Sequence, residues 1–144
     1  MENSEQETLV KLAELLTRAS WRLRRNERKE LAPFGLTFGQ ARALRVLLTA
    51  GHPMRIGDLA NTLEIVPRSA TTMVDGLERA GFVARRMDPV DRRSVLVLAT
   101  AQGRNLIARL AEERRASAEA LFARLSAAEK SELLRLLESL GQDS

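Results

Sequence analysis

Cysteine and tyrosine are both missing from the 144 residues, and there is one tryptophan and one histidine. The lack of cysteine excludes disulfides, thiolate nucleophiles, cysteine-based zinc fingers and thiol redox sensing together. The lone His52 sits in TAGHPM, a turn-like context, and cannot build a multi-histidine metal site. No Gly-x-Ser-x-Gly, phosphate-binding loop or paired histidine ligand is present, so an enzyme, a cofactor and a bound metal are all unexpected. Long apolar runs are lacking too: none approaches the ~18–20 residues that cross a bilayer. The first residues, MENSEQETLV, are polar and acidic, unlike a signal or transit peptide. A cytoplasmic address without membrane contact is the expectation. Lysine is scarce, at Lys11, Lys29 and Lys130, and every other basic side chain is arginine.

What is present fits one folded domain. Apolar content of 44% against 29% charged is that of a globular chain rather than a disordered one. The net charge of +4 is modest, but arginine supplies a planar fork of donors suited to phosphates and guanine edges. Composition alone leaves even odds between that use and a bias of the genome, so position decides.

Leu9, Leu12, Leu16, Ala19 and Leu23 recur at helical spacing and predict a first helix from Thr8 to about Lys29, ending in the charged run RLRRNERKE before Pro33. Most such runs are solvated faces. Thr37 with Gln40 forms a capping-box pattern that opens a second helix, about 38–49, with Phe38, Ala41, Leu44 and Leu48 on one face and Gly51 and Pro53 closing it. A short third helix, IGDLANTL, carries Ile56, Leu59, Ala60 and Leu63 on one side. Pro67 suits the first position of a fourth helix, where Ala70, Met73, Val74 and Leu77 form a stripe and Gly81 lies just past the end. Two short helices joined by a tight turn make a helix-turn-helix. The strands FVARRM and VLVLAT then flank the tip DPVDRRS. Thr100 caps a helix expected to reach about Leu125 through Leu106, Leu110, Ser117 and Leu121. The capping box SAAE, Ser126 to Glu129, opens a last one through Leu133, Leu137 and Leu140, which Gly141 ends.

At ~100° per residue, the face of the fourth helix opposite its stripe carries Arg68, Thr71, Thr72, Asp75 and Arg79. Arginine grips guanine at two atoms, threonine meets a thymine methyl or a phosphate, and a helix N-terminus attracts phosphate. An ordinary surface helix would also show a polar face. The hairpin shifts the balance, because a helix-turn-helix followed by a ribbon with an Arg-Arg tip is a winged helix. Arg92 and Arg93 would enter a narrow minor groove, which attracts inserted arginines. Asp88 and Asp91 suit such a tip if they hold the arginines extended through salt bridges.

The fragments GLTFGQARALRVL, PMRIGDLA, SATTMVDGLERAGFVARRMDPVDRRSVLVLATAQG and LSAAEKSELLRLLESL together resemble the MarR family of bacterial transcription regulators. The likeness runs over nearly the whole chain, and the wing, with Asp91 and Arg93, is its most specific part. It departs from the family pattern at Val66, Thr72, Gly76 and Ala99. The resemblance implies a mainly α fold with a small two- or three-stranded antiparallel wing. Within a single 1–144 domain, 37–100 would be the DNA-binding unit, and 1–30 and 101–144 the helices of a homodimer. The exposed helix face puts Arg68, Ser69, Thr71, Thr72 and Arg79 at the major groove and the tip puts Arg92 and Arg93 at the wing's groove, while the resemblance makes Arg93 the minor-groove arginine and Asp91 its orienting partner. It also implies a repressor acting at a pseudo-palindromic operator on double-stranded DNA. A pocket beside the dimer helices would admit a small aromatic or lipophilic effector, with Trp21 and Phe38 as candidate lining residues, although core packing is the commoner role for Trp21. A protein-interaction module and a non-specific architectural DNA binder stay open as alternatives.

Overall fold

The computed structural model describes residues 1–141. Its elements are α1 (Glu2–Leu31), a 3-10 turn (Ala32–Phe34), α2 (Phe38–Ala50), β1 (Met54–Arg55), α3 (Ile56–Leu63) and α4 (Pro67–Arg79), then β2 (Val83–Met87), β3 (Val95–Ala99), α5 (Ala101–Leu121) and α6 (Ala127–Leu140). They form two compact units. One is built from Met1–Asn26 with the segment from Glu113 onward, and the other is Glu27–Glu112. The fold is mainly α with a three-stranded antiparallel wing, as the sequence implies.

Helix α1 begins six residues before the expected Thr8. Glu2 and Glu5 in its first turn, with Arg28 and Lys29 in its last, complement the helix dipole and let a polar stretch stay helical. Both expected capping boxes form. Thr37 Oγ1 accepts from the Gln40 amide at 3.2 Å while Gln40 Oε1 accepts from the Thr37 amide at 2.9 Å. Ser126 and Glu129 repeat the arrangement at 3.1 and 2.9 Å. Helix α5 ends at Leu121, one turn short of the expected Leu125. A tight turn closed by the Leu125 amide on the Phe122 carbonyl (3.0 Å) intervenes before Ser126 restarts the helix.

The core of the Glu27–Glu112 unit gathers Leu31, Leu44, Leu59, Val74, Leu77, Val97, Leu106 and Leu110, all nearly inaccessible. Burying each leucine is worth ~1.5–3 kcal/mol. On α2 the buried positions are Ala41, Ala43, Leu44 and Leu47; the stripe turns toward Leu47 rather than Leu48, which stays half-buried. The charged end of α1 is not wholly solvated: Glu27 is buried and ion-paired with Arg45 of α2. Between α3 and α4 the chain reverses at Glu64, the single non-glycine residue in the left-handed region among those described (φ 57°).

Strand order is β1-β3-β2, with Met54 opposite Val97 and Arg85 opposite Val97 on the other side. β1 has only two residues, too short for any periodicity to betray. The hairpin's base is fastened by Thr100, whose hydroxyl donates to the Gly81 carbonyl (2.7 Å) and accepts from the Gly103 amide (3.1 Å). At Gly103 a Cβ would lie 2.3 Å from the Phe82 carbonyl oxygen, so no side chain fits where α5 crosses the wing's root.

The other unit is different in kind. Asn26 donates to Ser117 Oγ at 3.0 Å, but none of this unit's described residues is buried. Leu9, Leu12, Leu16, Leu137 and Leu140 are between 39% and 70% exposed.

Candidate nucleic-acid interface

Helix α4 buries Ala70, Val74 and Leu77 and leaves Arg68, Ser69, Thr71, Thr72, Asp75 and Arg79 exposed, the division its periodicity predicts. Val66 precedes it without any side-chain cap, so the positive end of the helix dipole is unshielded by a cap. Thr71 Oγ1 donates to the Pro67 carbonyl (3.0 Å) and Thr72 Oγ1 to the Arg68 carbonyl (3.1 Å). Their protons are thereby committed, and each hydroxyl oxygen has only lone pairs left to offer. Arg68 and Ser69 remain as the donors of the first turn.

Gly76, costly for a helix interior, has a specific cause. A Cβ there would lie 2.5 Å from Gln40 Nε2. That amide group lies across α4 toward the Met73 carbonyl, at 3.5 Å, while its oxygen completes the α2 cap.

The wing tip is built by its aspartates. The Asp88 amide donates to the Ser94 carbonyl at 3.0 Å, and Asp88 Oδ1 accepts from the Val90 amide at 2.9 Å. Asp91 accepts from the Arg93 amide and the Ser94 hydroxyl, both at 3.1 Å. Salt bridges from these aspartates to the tip arginines, the sequence expectation, do not form. Asp88, itself buried, pairs instead with Arg55 at 3.1 Å, and Asp91 spends both oxygens on the turn. Short carboxylates reach backbone amides two residues on more readily than a long side chain directed outward. Arg92 and Arg93 are exposed, and among the described residues no carboxylate stands within ion-pairing reach of either. The Val90 amide, with Arg55, holds the Asp88 carboxyl below the usual carboxylate range despite its burial.

Arg85 is the residue that sequence reasoning missed. On β2 the face carrying Val83 also carries Arg85, opposite the fully buried Val97. From there its guanidinium reaches Asp75 Oδ1 at 2.5 Å and Glu78 Oε1 at 2.8 Å, both on α4. Burial works against its charge, but these two carboxylates outweigh it and raise its pKa above the ordinary arginine value. A signal existed: alternation places an arginine on the strand's inward face, where an apolar residue belongs.

Trp21 is 56% exposed and so is not a core residue of this chain, contrary to its commoner role; with no buried residue in its unit, there is no core to enter. It edges an open hollow of about 520 Å³ with Ala13, Glu14, Thr17 and Arg18. Phe38 belongs to the other unit, half-buried against the core, with the Arg28 guanidinium 5.7 Å from its ring centre. Among the described residues no three His, Asp or Glu side chains gather as a metal site, and no helix is long and apolar enough to cross a membrane.

Known proteins share this arrangement. The MarR family model matches residues 36–95. The chain is 35% identical over 132 residues to the HTH-type transcriptional repressor Mb2911 of Mycobacterium bovis, covering 92% of this chain and 94% of that one. A MarR family protein from Bacillus stearothermophilus superposes with a TM-score of 0.76 at 28% identity, covering 96% of each chain. A mutant MarR from E. coli complexed with operator DNA superposes with a TM-score of 0.69 at 25% identity, covering 92% of this chain and 95% of that one. Sequence likeness over almost the full length and a shared fold lead to one conclusion: the chain belongs to the MarR family.

Proposed function

We propose that the protein is a homodimeric transcriptional repressor that occupies a pseudo-palindromic operator in double-stranded DNA. Arg68, Ser69, Thr71, Thr72 and Arg79 of α4 meet the major groove, and Arg92 and Arg93 of the wing meet the adjacent minor groove. The observation that carries this reading is the wing tip: two adjacent exposed arginines on a turn whose own carboxylates are consumed by backbone amides and Arg55. Unpaired guanidinium groups held on a rigid turn need no rearrangement before meeting phosphate or a narrow groove. Asp91 orients Arg93 through its backbone amide rather than its side chain. The named repressor among the relatives and the operator complex among the solved structures support the same reading.

The dimer is supported by the 1–26 and 113–141 segments, which expose a leucine-rich surface and bury none of their own described residues. A second copy is the commonest way to cover such a face, and two-fold symmetry supplies two recognition helices for half-sites about one DNA turn apart. The proposal extends, on family likeness, to a cytoplasmic setting and to a small aromatic or lipophilic effector.

The test is selection of bound duplexes from a random library at near-physiological salt. Enrichment of a pseudo-palindrome is the expected result. Retention without enrichment would leave an architectural binder, and no retention would leave a protein-interaction module. On the selected duplex, Arg93→Ala should weaken binding about tenfold, ~1.4 kcal/mol, with the dimer intact. Normal binding by that variant would remove the wing from the interface.

A further inference from the structure

We propose that Arg85 is a positioning residue that locks the wing to the recognition helix, so that α4 and the hairpin engage DNA as one rigid body; this rests on the DNA-binding reading above. Its guanidinium is forked between two carboxylates one turn apart on α4, Nη2 to Asp75 at 2.5 Å and Nη1 to Glu78 at 2.8 Å. Two divergent contacts on a planar group fix both the distance and the rotation of β2 relative to the helix, which a single contact would leave free. The Arg85 side chain is only 24% exposed, while Asp75 and Glu78 keep 51% and 43% of their side chains in contact with solvent, so the fork's geometry rather than burial gives it its hold.

The arrangement also solves a charge problem. Asp75 shares the exposed face of α4 with Arg68, Thr71 and Thr72, where an unpaired carboxylate would repel a phosphate backbone. Tied to Arg85, Asp75 and Glu78 are turned toward the wing and half neutralised. Between the clamp and the tip, β2 pairs with β3 through Arg86 opposite Leu96 and Met87 opposite Val95. The hairpin therefore carries the orientation set at Arg85 out to Arg92 and Arg93. At the far side of the same turn, Asp88 and Arg55 fix the tip to β1. The two ion-pair systems hold the wing from both of its neighbours.

Two measurements test this. In the absence of DNA, Arg85→Met keeps an unbranched apolar stem but removes the guanidinium fork. Amide hydrogen exchange from Arg86 to Leu96 should quicken at least tenfold, with α2 and α3 unchanged. Unchanged wing exchange overturns the proposal whatever the protein binds. With the library-selected duplex, Arg93→Ala should cost about tenfold in the wild-type background and less than twofold beside Arg85→Met, because a loosened wing no longer delivers Arg93. The pair Asp75→Asn and Glu78→Gln should abolish the Arg93 contribution in the same way. Simple removal of negative charge from a DNA-facing helix would instead strengthen binding and leave Arg93 at full effect. Additive losses for Arg85→Met and Arg93→Ala overturn the clamp and make Arg85 a direct phosphate contact. Faster wing exchange combined with no duplex bound by the wild type would refute the DNA reading and, with it, the positioning role.

Discussion

Asp88 illustrates how one carboxylate can serve a turn and an ion pair together. Its oxygens meet the Val90 amide and the Arg55 guanidinium, and the residue is buried. Because these partners lower its pKa in the folded chain, its contribution is complete above the unfolded value of about 4 and lost as pH falls through the lower folded value. Thermal unfolding of wild type and Asp88→Asn should therefore differ at pH 6 and converge in strong acid; a constant gap would deny the ionised group its role. Gly76 offers a second test at this scale. Alanine should add ~1 kcal/mol of helix propensity, but its Cβ would displace the Gln40 amide that caps α2. Gly76→Ala is expected to be neutral or destabilising alone and stabilising by ~1 kcal/mol beside Gln40→Ala, in denaturant unfolding. Simple additivity would show that Gln40 moves aside freely.

At the scale of elements, the sequence is legible where its signals are local. The capping boxes at Thr37 and Ser126, the proline opening α4, and the stripe Ala70–Val74–Leu77 each lie within one turn or two, and each forms as read. What escapes is what joins elements distant in the chain. Strand β1 exists because β3 pairs with it, and two residues carry no period. Glu27 lies in a charge run that reads as solvated until Arg45 arrives from α2. Arg85 meets Asp75 and Glu78 only once β2 folds back against α4. The wing arginines were legible as a pattern, but the work of the neighbouring aspartates was not: Asp91 bonds backbone and Ser94, and Asp88 finds Arg55 across the sheet.

For the whole molecule, the contrast between a unit with a packed core and one without it makes a direct prediction. Leu12→Glu with Leu16→Glu places charge on a face now 60% and 52% exposed at those positions. Sedimentation should report a monomer, and operator affinity should fall by a hundredfold or more as one half-site is lost, while the winged unit keeps its fold. A variant that stays dimeric would move the interface elsewhere. A last consequence follows from the central place of β3, which pairs with β1 on one edge and β2 on the other. The helix-turn-helix is thus a loop whose two ends are sewn together by a strand made after it. On a ribosome adding ~5–20 residues per second, Val95 follows Arg55 by about 40 residues, or ~2–8 s. Over the last 16 residues of that interval, from Arg79 to Val95, a nascent chain has its complete recognition helix without the seam that closes it, so the helix-turn-helix is fastened late in synthesis.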